Sequence, residues 1–88
     1  MTDQATTSRE QIFEMVRTHL ANELELDPGE IRDDVHLRDD LDADSLDLYE
    51  LVMELEDTYG ISMSEEEAAG VETVGQAVDF VHTRLSRR

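Results

Sequence analysis

The chain has no cysteine, no lysine and no tryptophan, a single proline and only four glycines. Without cysteine there is no disulfide framework, thiolate metal site or thiol nucleophile, so the fold has to stand on its apolar core. No apolar run approaches the eighteen or so residues of a membrane span. The first residues, MTDQATTSRE, also lack the basic and apolar regions of a signal peptide. Together these features predict a cytoplasmic protein without membrane insertion. Positive charge is scarce too: seven arginines face twenty-three acidic residues, for a net charge of −16. Such a field repels nucleic acid and anionic membranes and predicts a monomer. What is present is modest: 88 residues, of which 39% are hydrophobic, enough for one small domain with a small core. Self-repulsion weakens so small a core, so stability should rise with salt or divalent cations.

Residues 1–7 show no apolar periodicity and read as a flexible tail, with one domain over 8–88. Ser8 and Gln11 have the spacing of a capping box, in which each side chain satisfies the other's backbone N–H. Ile12, Phe13, Val16, Leu20 and Leu24 then recur every three or four residues, predicting an amphipathic helix to about Leu26. Asp27-Pro28-Gly29 breaks it, and a short helical turn fits Pro28 to Ile31. From Glu30 to Asp44 the chain is acidic and sparsely apolar, an ordered loop pinned by Ile31, Val35, Leu37 and Leu41.

Asp44 opens the second helix, with an acid in its first turn and Gly60 at its exit. Ser64 with Glu67 caps a short acidic helix ending near Gly70, and Thr73 with Gln76 caps the last. In that last helix Val74, Ala77, Val78, Val81 and Leu85 form the buried face, and Arg84, Arg87 and Arg88 suit the negative end of the dipole. With no strand pattern and no repeat, the prediction is an all-α, four-helix bundle: three main helices, a short third one, and a long loop after the first.

The second helix carries more apolar residues than a core needs. Leu48, Leu51, Val52, Leu55 and Tyr59 share one side, while Leu46 and Met53 fall elsewhere, among Asp47, Glu50, Glu54 and Asp57. Two readings stand: Leu46 and Met53 cover neighbouring loops, or they form a docking surface ringed by carboxylates. Between Asp39 and Thr83 there are fourteen acids and no arginine. This is either a solvated face or a field that steers basic partners. Ser45, at a helix start, reads by itself as a cap.

The run Leu37-Arg38-Asp39-Asp40-Leu41-Asp42-Ala43-Asp44-Ser45-Leu46-Asp47, continuing through Glu50-Leu51-Val52-Met53-Glu54-Leu55-Glu56, closely resembles the acyl carrier proteins. The likeness extends to Gly60-Ile61-Ser62-Met63-Ser64 with the acids that follow, and to Thr73–Val81, so it covers nearly the whole chain. It implies that Ser45, in Asp44-Ser45-Leu46, bears a 4′-phosphopantetheine arm derived from coenzyme A. The thiol of that arm holds acyl intermediates as thioesters and shuttles them between enzymes of type II fatty acid synthesis. The chain would then be a non-catalytic carrier. Its partners would be a phosphopantetheinyl transferase and synthase enzymes with basic docking patches.

Within that resemblance, Asp44, Asp47, Glu50, Glu56 and Asp57 would steer partners, and Leu46 and Met53 would make the desolvated contact, with Met63 and Val71 contributing from the third-helix region. Leu51, Leu55, Tyr59, Val71 and Val78 are candidates for lining an acyl pocket, or are plain core. Asp44 could cap the helix in place of Ser45. Tyr49 departs from the smaller aliphatic residue many relatives carry; a ring there would narrow a cavity or alter a docking surface.

Other readings are weaker on their own residues. A discrete carrier of polyketide synthesis has the same motif. Peptidyl carrier domains approach the serine through glycines, where this chain has Leu41-Asp42-Ala43-Asp44. An acidic divalent-cation or protein-interaction module draws on the alternation of Asp40, Asp42 and Asp44. A calcium loop, however, needs glycine where Ser45 stands and a bidentate Glu where Leu51 stands, so no specific metal site is expected. His19, His36 and His82 are isolated, with no zinc spacing and no nucleophile beside a base, which argues against an enzyme.

Overall fold

The computed structural model describes residues 8–87. The predicted tail over residues 1–7 and Arg88 lie outside them. Among the described residues there are four α-helices, α1 (Arg9–Leu24), α2 (Ser45–Tyr59), α3 (Glu65–Ala69) and α4 (Val74–Ser86), and a 3-10 turn at Pro28–Glu30. They contain no strand; a single antiparallel bridge joins His36 to Thr73.

Each α-helix begins with a reciprocal cap. Ser8 with Gln11, Asp44 with Asp47, Ser64 with Glu67 and Thr73 with Gln76 all close both hydrogen bonds of the capping box. Helix ends are less uniform. Gly60 ends α2 in the left-handed region, which costs a residue without Cβ nothing. Helix α1 stops at Leu24, short of the expected Leu26, because Glu25 takes the left-handed conformation (φ 57°). That conformation disfavours an L-residue by about 1–2 kcal/mol. It turns the chain so that the Leu26 N–H donates to the Ala21 carbonyl at 2.9 Å and the Leu26 side chain packs on the core.

The core is built chiefly by α1 and α4, with Ile12, Val16, Leu20, Val74, Val78 and Val81 fully buried. Leu85, expected on the buried face of α4, is only half-buried. The long loop is held from below by Ile31, Val35, Leu37, Leu41 and Ala43, all buried. Its backbone is stitched to the segment before α4: the Leu37 N–H donates to the Glu72 carbonyl (2.9 Å) and the Val74 N–H to the Val35 carbonyl (3.0 Å). Gly75 permits this approach, since a Cβ there would lie 3.0 Å from the Asp33 carbonyl oxygen. Arg9 locks the same corner, donating to Asp79 at 2.6 Å and to Asp33 at 3.1 Å.

Arg84 lies in the last turn of α4, as expected, and does more than complement the dipole. Its guanidinium donates to the Ser62 carbonyl (2.7 Å) and to Glu67 (2.8 Å) while stacking on Phe80, and so ties α3 to α4.

Candidate functional site

The geometry at the start of α2 decides what Ser45 is free to do. Asp44 is extended (φ −95°, ψ −176°) and is the N-cap. Its Oδ1 accepts from the Asp47 N–H at 2.9 Å, and Asp47 Oδ2 accepts from the Asp44 N–H at 3.2 Å. Ser45 is therefore the first residue of the helix, and the capping that a serine at this place would ordinarily supply is done by its neighbour. The side chain of Ser45 is exposed, and its Oγ accepts a hydrogen bond from Arg38 Nη2 at 3.3 Å. Upstream, Asp42 takes a left-handed conformation (φ 60°), one that the short polar side chain of aspartate tolerates better than most. It is the bend by which the loop enters the helix without a glycine.

Ser45 stands at one end of a groove of about 520 Å³ between α2 and α3. Leu48, Tyr49, Val52 and Met53 form its α2 wall, and Met63, Ala68, Ala69 and Val71 the other. Beneath it lies a narrow apolar cleft of about 10 Å³, room for one water at most. Leu48, Val52, Met63, Ala68 and Val71 belong to both spaces and form the partition between them.

This redistributes the acyl-pocket candidates. Leu51 and Leu55 line the inner cleft and Val71 lines both spaces, whereas Tyr59 and Val78 line neither. Tyr59 is half-buried at the far end of α2, and Val78 is fully buried core. Leu48 and Val52, read from periodicity as plain core, are only half-buried because they face the groove.

The docking candidates also separate. Leu46 (61% exposed), Tyr49 (62%) and Met53 (45%) form an outward apolar strip on α2, uncovered by any loop among the described residues. Asp44 and Asp57 are exposed beside that strip. Met63 and Val71 sit in the groove wall instead of on the outer face. Glu56 is half-buried, its Oε2 accepting from the Met63 N–H at 2.8 Å, so it fixes the far wall of the groove. Asp47 and Glu50 lean towards α1 and approach Glu23. The hydrogen bond with Glu50 first, then burial and the repulsion of Glu50, push the Glu23 carboxyl up to about 7.

Two residues escaped the sequence reading. Arg38 was hidden among acids, although it is the one arginine between Arg32 and Arg84 and lies seven residues before Ser45. Glu23 was hidden because its partners are on another helix. Among the described residues no group of three or more His, Asp or Glu could hold a metal ion. None of their helices is long and apolar enough to cross a membrane.

Comparison with known proteins bears on the same site. Residues 14–81 match the family model described as phosphopantetheine attachment site. Over 73 residues, 83% of this chain and 90% of the relative, the sequence is 44% identical to an acyl carrier protein of Rubrobacter xylanophilus. The fold superposes on the solved acyl carrier protein of Enterococcus faecalis with a TM-score of 0.77 and 36% identity, covering 88% of this chain and 98% of that one.

Proposed function

We propose that this chain, which belongs to the acyl carrier proteins, carries its prosthetic group on the Oγ of Ser45 and serves type II fatty acid synthesis in the cytoplasm. The members of this family are non-catalytic carriers with a 4′-phosphopantetheine group. The observation that carries the assignment to Ser45 is the division of labour at the α2 start. Asp44 caps the helix, and Ser45 Oγ is left exposed at the mouth of an apolar groove.

The residues present fit the group. An anionic phosphodiester on Ser45 would meet the positive end of the α2 dipole and the unpaired N–H groups of its first turn. When bound, the arm supplies a terminal thiol that holds the acyl cargo as a thioester. Leu48, Val52 and Val71 offer that cargo an apolar wall, and displacement of Met63 and Val71 would open the cleft beneath. In the loading reaction, Ser45 Oγ forms a bond to the pantetheine-linked phosphorus of coenzyme A. The phosphoanhydride bond to adenosine 3′,5′-bisphosphate breaks, and the serine proton passes to a base of the transferase.

Recognition of the transferase and of synthase enzymes rests on the outer face of α2. Leu46 and Met53 supply the desolvated contact, and Asp44 and Asp57 beside them, with Glu50 from the α1-facing edge of α2, steer basic patches to it. Residues 8–88 form the carrier unit, and a monomer suits so negative a molecule.

The test is intact mass after incubation with coenzyme A, Mg²⁺ and a promiscuous phosphopantetheinyl transferase. One phosphopantetheine is expected on the wild type and none on Ser45→Ala; loading of the alanine variant, or of neither protein with an active transferase, rejects the assignment. Reversing the charge of Glu50 and Asp57 together should weaken transferase binding about tenfold or more at low salt and flatten its salt dependence. Equal binding at low ionic strength would count against the docking face.

A further inference from the structure

Among the described residues Arg38 and Arg87 are the arginines without a carboxylate partner, and of the two only Arg38 lies in the groove. Arg9, Arg17, Arg32 and Arg84 each pair with a carboxylate. Arg38 is followed directly by Asp39 and Asp40, with Asp42 and Asp44 close behind, yet among the described residues it forms no such pair. Its guanidinium lies instead at the groove mouth and donates to the uncharged Oγ of Ser45 at 3.3 Å. Glu56 and Glu65 are the other charged residues lining that groove, so among the described residues Arg38 is its one cation. A neutral hydroxyl is a weak partner for a guanidinium, and a phosphate is a strong one, because the planar fork matches two phosphate oxygens and the bond is charge-assisted.

We propose that Arg38 is a positioning residue for the phosphodiester formed on Ser45. In the unloaded chain it marks the hydroxyl, and in the loaded chain it moves from Oγ to a non-bridging phosphate oxygen two bonds further out. This offsets the charge added to a chain already at −16 and directs the arm from Ser45 along the α2–α3 groove. The α2 N-terminus provides N–H groups on the helix side of the phosphate, and Arg38 closes the side facing the loop. The inference rests on Ser45 being the attachment site.

Unloaded and loaded forms of the full chain are compared by thermal melting at low salt, as wild type, Arg38→Gln and Arg38→Lys. Loading should lower the melting temperature of the glutamine variant relative to its effect on wild type by about 2–5 °C, a gap that closes in high salt. The lysine variant should fall between, since it keeps the charge without the fork. Two spectroscopic readouts do not depend on stability. On loading, the Arg38 Nε–H resonance of the wild type should shift, and the ³¹P resonance should differ between wild type and the glutamine variant.

The same loading shift in wild type and Arg38→Gln, or an Arg38 Nε–H resonance unmoved by loading, overturns the proposal. An Arg38→Gln chain that is equally destabilised in both forms gives Arg38 a purely structural role and overturns it as well. Mass separates the two levels. If the wild type gains no phosphopantetheine, the Ser45 assignment and this inference fall together; if it gains one and the shifts are absent, only the role of Arg38 falls.

Discussion

Helices α1 and α4 bury the centre of their apolar stripes fully against each other, whereas α2 and α3 do not. Along α1 and α4, Ile12, Val16, Leu20, Val74, Val78 and Val81 are inaccessible to solvent, and Arg9 bolts the two helices together through Asp79. Along α2 only Leu51 and Leu55 are buried, and α3 has no buried residue. Half-buried Leu48, Val52, Met63 and Val71 look into a groove, and the tie between the α2 side and the α3 entrance is the bond from the Met63 N–H to Glu56. The lesson is a separation of duties. One half of the molecule is closely packed, while the other leaves half-buried apolar side chains facing a groove.

The largest expected effect tests that separation directly. Leu20→Ala should cost about 2–5 kcal/mol in urea unfolding, the usual range for a large buried side chain truncated in a packed core. Val52→Ala, on the groove side, should cost about 1 kcal/mol or less, because much of its surface is already open to water. Equal losses would mean that the groove is as tightly built as the α1–α4 core.

A smaller effect belongs to the corner that Arg9 holds. Arg9→Gln should cost about 0.5–1 kcal/mol, since the ion pairs are partly exposed. The loss should shrink between low and high salt. A salt-independent loss would assign Arg9 a packing role instead of an electrostatic one.

The smallest effect lies where the two halves meet, at Glu23 against Glu50 and Asp47. The Glu23 carboxyl is pushed from its ordinary 4.5 up to about 7, so the folded chain holds that proton more tightly than the unfolded chain. Its stabilising contribution is complete below pH 4.5 and is lost as pH rises through 7. Glu67 has the opposite sign. The Ser64 backbone N–H, then Arg84, lowers its pKa, so its contribution is present above pH 4.5 and is lost as pH falls further. Glu23→Gln keeps a hydrogen-bond donor and removes the titration. It should therefore melt higher than wild type at pH 8, with the decline between pH 5 and 8 flattened; the same decline in both proteins would place the acid cluster elsewhere.

Much of this architecture was legible along the chain. Capping boxes are local, because the two side chains and the two N–H groups they satisfy lie within four residues; those at Ser8, Ser64 and Thr73 were therefore readable from spacing, while for α2 only the Asp44 cap was expected and the return bond from Asp47 was not. The pinning of the long loop by Ile31, Val35, Leu37 and Leu41 was readable because isolated apolar residues in an acidic stretch have few other places to go. The left-handed turn at Glu25 was not, since nothing in a glutamate announces it and the packing of Leu26 compensates its cost. Periodicity placed Leu48, Val52 and Tyr59 on the inner side of α2, but it carries no information about how closely α3 approaches them.

The site divides along the same line. Asp44 and Ser45 stand in the right order for one to cap and the other to remain free, and Leu46 and Met53 are exposed because their helical angles turn them away from the core; these follow from local geometry. The groove, the partition of Leu48, Val52 and Met63, the approach of Glu23 to Glu50 and the placing of Arg38 over Ser45 needed the packed chain. Each depends on a distance between separate elements, and such distances are set by how the whole core closes and not by any one segment.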